Sequence, residues 1–467
     1  MSTGNSQMIP ATVDEALHQT VSDMLNGSYI DTEKDKSYEV LHYQTGMSNP
    51  CARIANAPQR RLNIVGAVAR FVWMVAGSNR LEDIAFYEEK VRSYTDNRLT
   101  VPGSSYGKRL FDAAPGLDQI RGVIERLRTS PDTRQAAAVV WSPEDAVRVS
   151  SDIPCTFGMF FHVRDGGLIM STVMRSNNAF RLMHFNFFEF SLLGEVVAAT
   201  VGIPMTQYVH WAASMHVYDT PFEMPTTRAL AAAGPGESIV MPEMPREDAA
   251  ALAAADKLTD QDPTERAARQ AARELATPIG QATELARLEA QMRHTSTEAE
   301  FDALRGMAAA VLNKYWLALF NVLASWVAAK RGLLDKADAI VADLPEYLRG
   351  VTRSKIEASF PRPAAPEIEP LDQDDQGTLF NLGIGEDIAD LSRPSSKVAA
   401  FGHDSAYEDA VQAIARFSER QGDDLPISRL PAAVRELMRS EVALAARDGD
   451  VREYSDDDIR AALDAVR

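Results

Sequence analysis

The chain has 467 residues, too many for one ordinary domain, so two or three are expected. A hydrophobic fraction of 45% and a charged fraction of 24% are those of a soluble globular protein. The formal charge of −18 argues against direct nucleic-acid binding, although a few arginines can still make a local pocket for a small anion.

In chain order, the polar N-terminus lacks the basic-then-apolar order of a signal peptide. Residues 1–37 read as a leader, with a short helix over 11–25 stopped by Asn26-Gly27. Residues 38–57 carry turn residues and read as extended and looped. The apolar run 62–75, ended by Gly77-Ser78-Asn79, predicts a buried helix, and 80–94 predicts a second. A loop over 102–107 presents Tyr106. Residues 116–128 form an amphipathic helix with Ile120, Val123, Ile124 and Leu127 on one face, and 136–141 a short buried strand. Residues 156–163 and 168–174 flank Arg164-Asp165-Gly166-Gly167, which predicts a β-hairpin. A long apolar helix over 185–201 carries Glu189 and Glu195, and a strand over 207–217 follows. This mixed order predicts an α/β (α+β) domain over 38–240, a mixed sheet with flanking helices, followed by a mainly helical extension.

That helical extension spans 241–358. Thr297 and Glu300 offer a capping box for a helix reaching about residue 331, and another helix is expected over 336–349. The stretch 308–329 is apolar enough to suggest a membrane span. Its buried-helix stripe (Val311, Tyr315, Leu319, Leu323, Trp326) favours a core helix instead, so no membrane association is expected. Residues 359–400 are rich in proline and acids and read as a linker, and 401–467 as a small helical segment. Two cysteines, Cys51 and Cys155, cannot make a disulfide framework, and a reducing, cytoplasmic setting is expected. The eight histidines show no metal-ligand spacing with cysteines or acids, so no metal is expected.

The chemistry-bearing residues gather between Asp152 and Tyr218. Cys155 follows a proline; a thiolate attacks electron-poor carbons if its pKa is lowered or a base is near. Arg175-Ser176 follow the hairpin, which can bring them back beside Cys155. An arginine fork and a serine hydroxyl suit phosphate. Phe185-Asn186 and His216-Val217-Tyr218 add an amide and a His/Tyr pair.

These motifs, with Asn49-Pro50, Arg61-Leu62-Asn63, Phe71 to Asn79, Tyr106-Gly107 and Ser130 to Arg134, stand in an order that resembles the thymidylate synthase and pyrimidine-nucleotide hydroxymethylase superfamily over about residues 48–220. The resemblance implies that Cys155 adds to C6 of a pyrimidine ring, so that C5 attacks a one-carbon unit carried on methylenetetrahydrofolate. It implies that Arg175 and Ser176 hold the phosphate. Arg134 would reach the partner's phosphate across a homodimer. Asn186 would read the ring edge, favouring uracil over cytosine. His216 and Tyr218 would contact the sugar, and Tyr106 would lie near the reacting carbon.

The departures fall in the proton and folate machinery. A glutamate usual three residues before the tryptophan is Arg70, which cannot act as a base at neutral pH. Asn178 stands where an acid normally holds the pterin, and Arg92 where a folate-contacting tryptophan is usual. Thr156 follows the cysteine in place of histidine, and Gln44-Thr45-Gly46 replaces an arginine-led phosphate loop. The expected function is one-carbon transfer to C5 of a uridylate nucleotide, dUMP first, as methylation or hydroxymethylation. The alternatives are a nucleotide-binding or regulatory protein without turnover, and C5 modification with a donor other than folate.

Overall fold

Helix α1 (Val13–Leu25) starts on a capping box between Thr12 and Glu15 and ends at Asn26. In the computed structural model, residues 9–32, 36–246, 249–257, 263–362 and 460 are described, and nearly all lie in one unit, residues 1–366. Although α1 belongs to the stretch read as a leader, its Val13, Leu17, Val21 and Met24 are fully buried in the core.

After α1 come β1 (Ser28–Asp31), β2 (Lys36–Met47), α2 (Ile64–Val75) and α3 (Leu81–Ala85). A 3-10 turn (Glu89–Tyr94) leads to α4 (Tyr106–Leu110), α5 (Gln119–Thr129) and β3 (Ala137–Val139). Then follow β4 (Thr156–Arg164), β5 (Gly167–Met174), the two-residue β6 (Asn177–Asn178), α6 (Met183–Val201), β7 (Met205–Tyr218) and α7 (Met224–Ala233). The sheet order is β1-β2-β7-β5-β4-β3, with β6 beside β7. Its pairs are antiparallel except β5–β7 and β6–β7, which are parallel. The β4–β5 hairpin turns at Asp165 and Gly166, both at positive φ, as a two-residue turn matched to strand twist requires.

One face of the sheet packs on α6, which is buried almost all round. The other face leaves Phe160 and Val139 exposed, with Val173, Val209 and Trp211 half-covered beside them. Every residue of α2 except Arg70 is buried. A helix apolar all round needs cover on all sides, and the later helices provide it. These are α8 (Ala249–Asp256), α9 (Pro263–Leu275), α10 (Pro278–Arg293), α11 (Glu298–Val311), α12 (Lys314–Lys330), α13 (Leu334–Ala342) and α14 (Glu346–Ser359). Helices α10, α12 and α14 pack on α2, and α10 also packs on α6. Trp316 of α12 stacks on Phe71 of α2 at 6.1 Å between ring centroids.

Three predicted helices are broken in the structure. The one over 80–94 splits into α3 and the 3-10 turn, and Glu88 in the gap turns back onto Arg70. The one from Thr297 to about 331 stops at α11, because Asn313 caps a new helix by accepting from the Tyr315 and Trp316 N–H groups. The one over 336–349 breaks at Leu344-Pro345, since proline disfavours helical geometry in the residue before it. Among the described residues no helix is long and apolar enough to cross a membrane. The linker and C-terminal segment expected from 359 onward lie outside the described residues, save 359–362 and Arg460.

Candidate functional site

The hairpin assembles the centre of the site. Thr156 at the start of β4 pairs with Met174 at the end of β5, so the next residue on each side, Cys155 and Arg175, is a neighbour. The Arg175 N–H donates to the Cys155 carbonyl at 2.8 Å. The Arg175 side chain folds over the same loop: Nε donates to the Pro154 carbonyl and Nη2 to the Ile153 carbonyl, each at 2.9 Å. Nη2 also lies 3.8 Å from Cys155 Sγ. Trp141 lies under the guanidinium, 6.0 Å from its carbon to the ring centroid. Burial pushes the Cys155 thiol up, the Arg175 charge opposes this and Asp152 adds to it. By contrast Cys51, 3.8 Å from Glu195, is pushed up to about 11 by burial and then by that carboxylate.

Asp152 ties the cysteine loop to the tyrosine loop. Its carboxylate accepts from the Gly103 and Ser104 N–H groups and the Ser104 hydroxyl at 2.6–2.8 Å. Gly103 is obligatory here, because a Cβ would sit 2.3 Å from the Asp152 carbonyl. Tyr106 opens α4, so the expected loop over 102–107 gives way to helix at Tyr106. Its phenol is raised by burial and by the charges of Cys155 and Glu189, so it lies within electrostatic reach of both. Gly107 lets α4 touch the end of α2, where a Cβ would meet the Met74 carbonyl at 2.1 Å.

Asn186, one turn into α6, is buried and held at both ends of its amide. Its Oδ1 accepts from Asn177 Nδ2, and its Nδ2 donates to Glu189 Oε1, each at 2.8 Å. His216 and Tyr218 near the end of β7 meet edge to face at 4.9 Å. Ser176 is half-buried between β5 and β6. Arg134 is exposed on a bend ahead of the edge strand β3.

The remaining candidates are committed elsewhere in the chain. Arg70 donates from Nε and Nη2 to the Glu88 carboxylate at 2.5–3.0 Å and lies 5.3 Å from the Phe185 ring centroid. Burial is the largest single influence and lowers this guanidinium, but the Glu88 charge, the Glu88 hydrogen bonds and the Glu189 charge together outweigh it and the net direction is up. Asn178 is buried. Its Nδ2 donates to Glu223 Oε1 at 2.8 Å, and its Oδ1 accepts from the Arg181 N–H at 2.5 Å. Arg92 is gripped by Glu82 and Glu89 at 2.5–3.2 Å.

Two acids escaped the sequence reading as site residues. Glu223 is wholly buried and organises Asn178, the Arg181 guanidinium and the Tyr218 N–H, at 2.5–2.8 Å. Nothing in its local sequence signals this. Glu189 had a signal: a lone carboxyl beside Asn186 on a helix that is otherwise apolar there.

The thymidylate synthase family profile matches residues 27–247. The chain is 29% identical over 197 residues to the deoxyuridylate hydroxymethyltransferase of Bacillus phage SP01, covering 38% of this chain and 50% of that protein. It is 30% identical over 223 residues to the protein of the same description from Pseudomonas phage M6, covering 46% and 61%. It is 33% identical over 148 residues to a putative thymidylate synthase of Methanosarcina acetivorans, covering 31% and 68%. The match thus spans from half to about two thirds of these relatives' lengths. Over this central region, the chain belongs to the thymidylate synthase and pyrimidine-nucleotide hydroxymethylase superfamily.

Proposed function

We propose that the protein transfers a one-carbon unit to C5 of a uridylate nucleotide, dUMP first, through a Cys155 adduct at C6. The observation that carries this reading is the pairing of Cys155 with Arg175, a thiol and a guanidinium 3.8 Å apart where the ends of β4 and β5 meet. Addition at C6 needs the thiolate, and the arginine favours the charged form. Arg175 and Ser176 take the phosphate, His216 and Tyr218 the sugar hydroxyl, and Tyr106 stands beside the reacting carbon. Asn186 offers a donor and an acceptor to the uracil edge. Its present partners, Asn177 and Glu189, exchange with the ring when the nucleotide enters. Two relatives act, by description, as deoxyuridylate hydroxymethyltransferases, and hydroxymethylation is the product favoured here.

The working unit in this reading is a homodimer in the cytoplasm. The uncovered sheet face with Phe160, Val173, Val209 and Trp211 is the apolar surface that would be shared. Arg134 supplies the partner's phosphate from its exposed bend. The donor that the resemblance implies is methylenetetrahydrofolate. The two positions expected to meet it are not free to do so, since Asn178 is buried against Glu223 and Arg92 is held by Glu82 and Glu89. This favours, as a second reading, a one-carbon donor other than folate.

The experiment is tritium release from dUMP labelled at C5, with and without methylenetetrahydrofolate. Release that needs the folate supports the first reading, and release without it supports the second. Cys155→Ala abolishes release in both. Saturable dUMP binding without release would replace them with a binding protein, and no binding of dUMP, UMP, dCMP or CMP overturns every version.

A further inference from the structure

Glu189 lies one helical turn beyond Asn186 on α6, so both side chains project from the same face. It is only 5% exposed, and a neutral amide holds it: Asn186 Nδ2 donates to Oε1 at 2.8 Å. Charged and titratable groups face it from each neighbouring element. Arg70 comes from α2, Glu88 from beyond α3, Tyr106 from α4 and Tyr208 from β7. Because Glu88 occupies the Arg70 guanidinium, Arg70 acts on Glu189 at a distance. The only charged side chain of α2 is thus neutralised, while a carboxyl stands at the amide that would read the ring.

We propose that Glu189 is the proton donor and acceptor for the ring carbonyl of the nucleotide, in the role that Arg70 cannot fill. The inference rests on the uridylate reading. After the Cys155 thiol has lost its proton to solvent, Sγ bonds to C6. The C5=C6 electron pair shifts through C4 onto O4. The Glu189 carboxyl gives its proton to O4, leaving a carboxylate and a neutral enol. Reversal returns the proton from O4 to Glu189 and expels the thiolate. No oxidant or further reactant enters this step. Burial pushes Glu189 up to about 7, Arg70 and the Asn186 hydrogen bond restrain it, and Glu88 raises it further. Both protonation states are therefore populated near neutral pH, as a group that gives and retakes a proton requires.

The test compares the full-length wild type with Glu189→Gln and Arg70→Met. It reads tritium release from C5-labelled dUMP across pH, and dUMP affinity by calorimetry. Glutamine keeps the shape and can still accept from Asn186. Release falls ~100-fold or more in Glu189→Gln, while dUMP affinity stays within about 3-fold. The wild-type rate falls above about pH 7, and this alkaline limb vanishes in Glu189→Gln. In Arg70→Met the limb moves to higher pH, because the charge that restrains Glu189 is gone. Release by Glu189→Gln within about 3-fold of wild type, or a limb that neither variant moves, overturns the inference. Should Glu189→Gln fail to fold, the limb of Arg70→Met decides alone. If the wild type itself releases no tritium under either donor condition, the uridylate reading has failed, which differs from a failure confined to Glu189.

Discussion

Arg70 is the only charged side chain on α2, and Glu88 neutralises it inside the protein. The carboxyl at 189 has no such partner, and this difference has a thermodynamic signature. Glu189 sits near 7 in the fold against an ordinary 4.5, so the folded state holds a proton that the unfolded state has lost across that interval. Its contribution to stability is fully present below about pH 4.5 and is lost as pH rises through about 7. Relative to wild type, Glu189→Gln should therefore gain about 1–3 kcal/mol of stability between these limits and then level off. Denaturant titrations of both proteins at pH 5 and pH 8 measure this. Taking the difference cancels His210, which burial lowers to about 3 and which gives the opposite slope in both proteins. An equal offset at both pH values would place the Glu189 carboxyl near its ordinary pKa.

At the scale of elements, the site depends on how α2 is held. This helix packs on α6 and α4 and also on α10, α12 and α14. Trp316 is fully buried against Phe71, so Trp316→Ala removes a large side chain from a closed interface. The expected cost is about 3–5 kcal/mol, read as a lower denaturation midpoint with unchanged slope. Because Arg70 and the Gly107 contact with Met74 ride on α2, any surviving activity in this variant should fall through kcat more than through dUMP affinity. A midpoint equal to wild type would mean that the extension covers α2 without supporting it. The later helices are therefore part of the wall behind the site. Buried polar pairs cross the same boundary: Tyr87 donates to Glu289 at 2.6 Å, and Arg293 pairs with Asp83 at 3.1 Å.

At the scale of the whole molecule, the proposed dimer gives each site a residue from both copies. Arg134→Ala and Cys155→Ala should each be inactive or nearly so alone. Mixed, unfolded and refolded together, they should recover about a quarter of wild-type release, because half the dimers are mixed and each then holds one intact site. Sedimentation of the mixture checks that dimers form. A mixture as inactive as its parents would confine Arg134 to its own subunit or remove it from the site.

Much of this architecture was legible in sequence. Alternating apolar residues on either side of Asp165-Gly166 specify the hairpin, and the hairpin alone determines that Arg175 returns beside Cys155. The stripe Ile120, Val123, Ile124 and Leu127 specifies the buried face of α5. These signals are local, so periodicity and turn chemistry carry them. The breaks at Glu88 and Asn313, and the partners of Arg70, Asn178 and Arg92, were not legible, because each depends on a group far along the chain or on a choice between competing neighbours. Glu88 is 18 residues from Arg70, Glu223 is 45 from Asn178, and Gln281 accepts from the Asn313 N–H across 32. Sequence by itself determined which chemical groups the site owns. Only the tertiary structure decided which charges are neutralised within the protein and which carboxyl remains beside the Asn186 amide. Burial and pairing set the charge state of a side chain, and both are properties of three-dimensional packing.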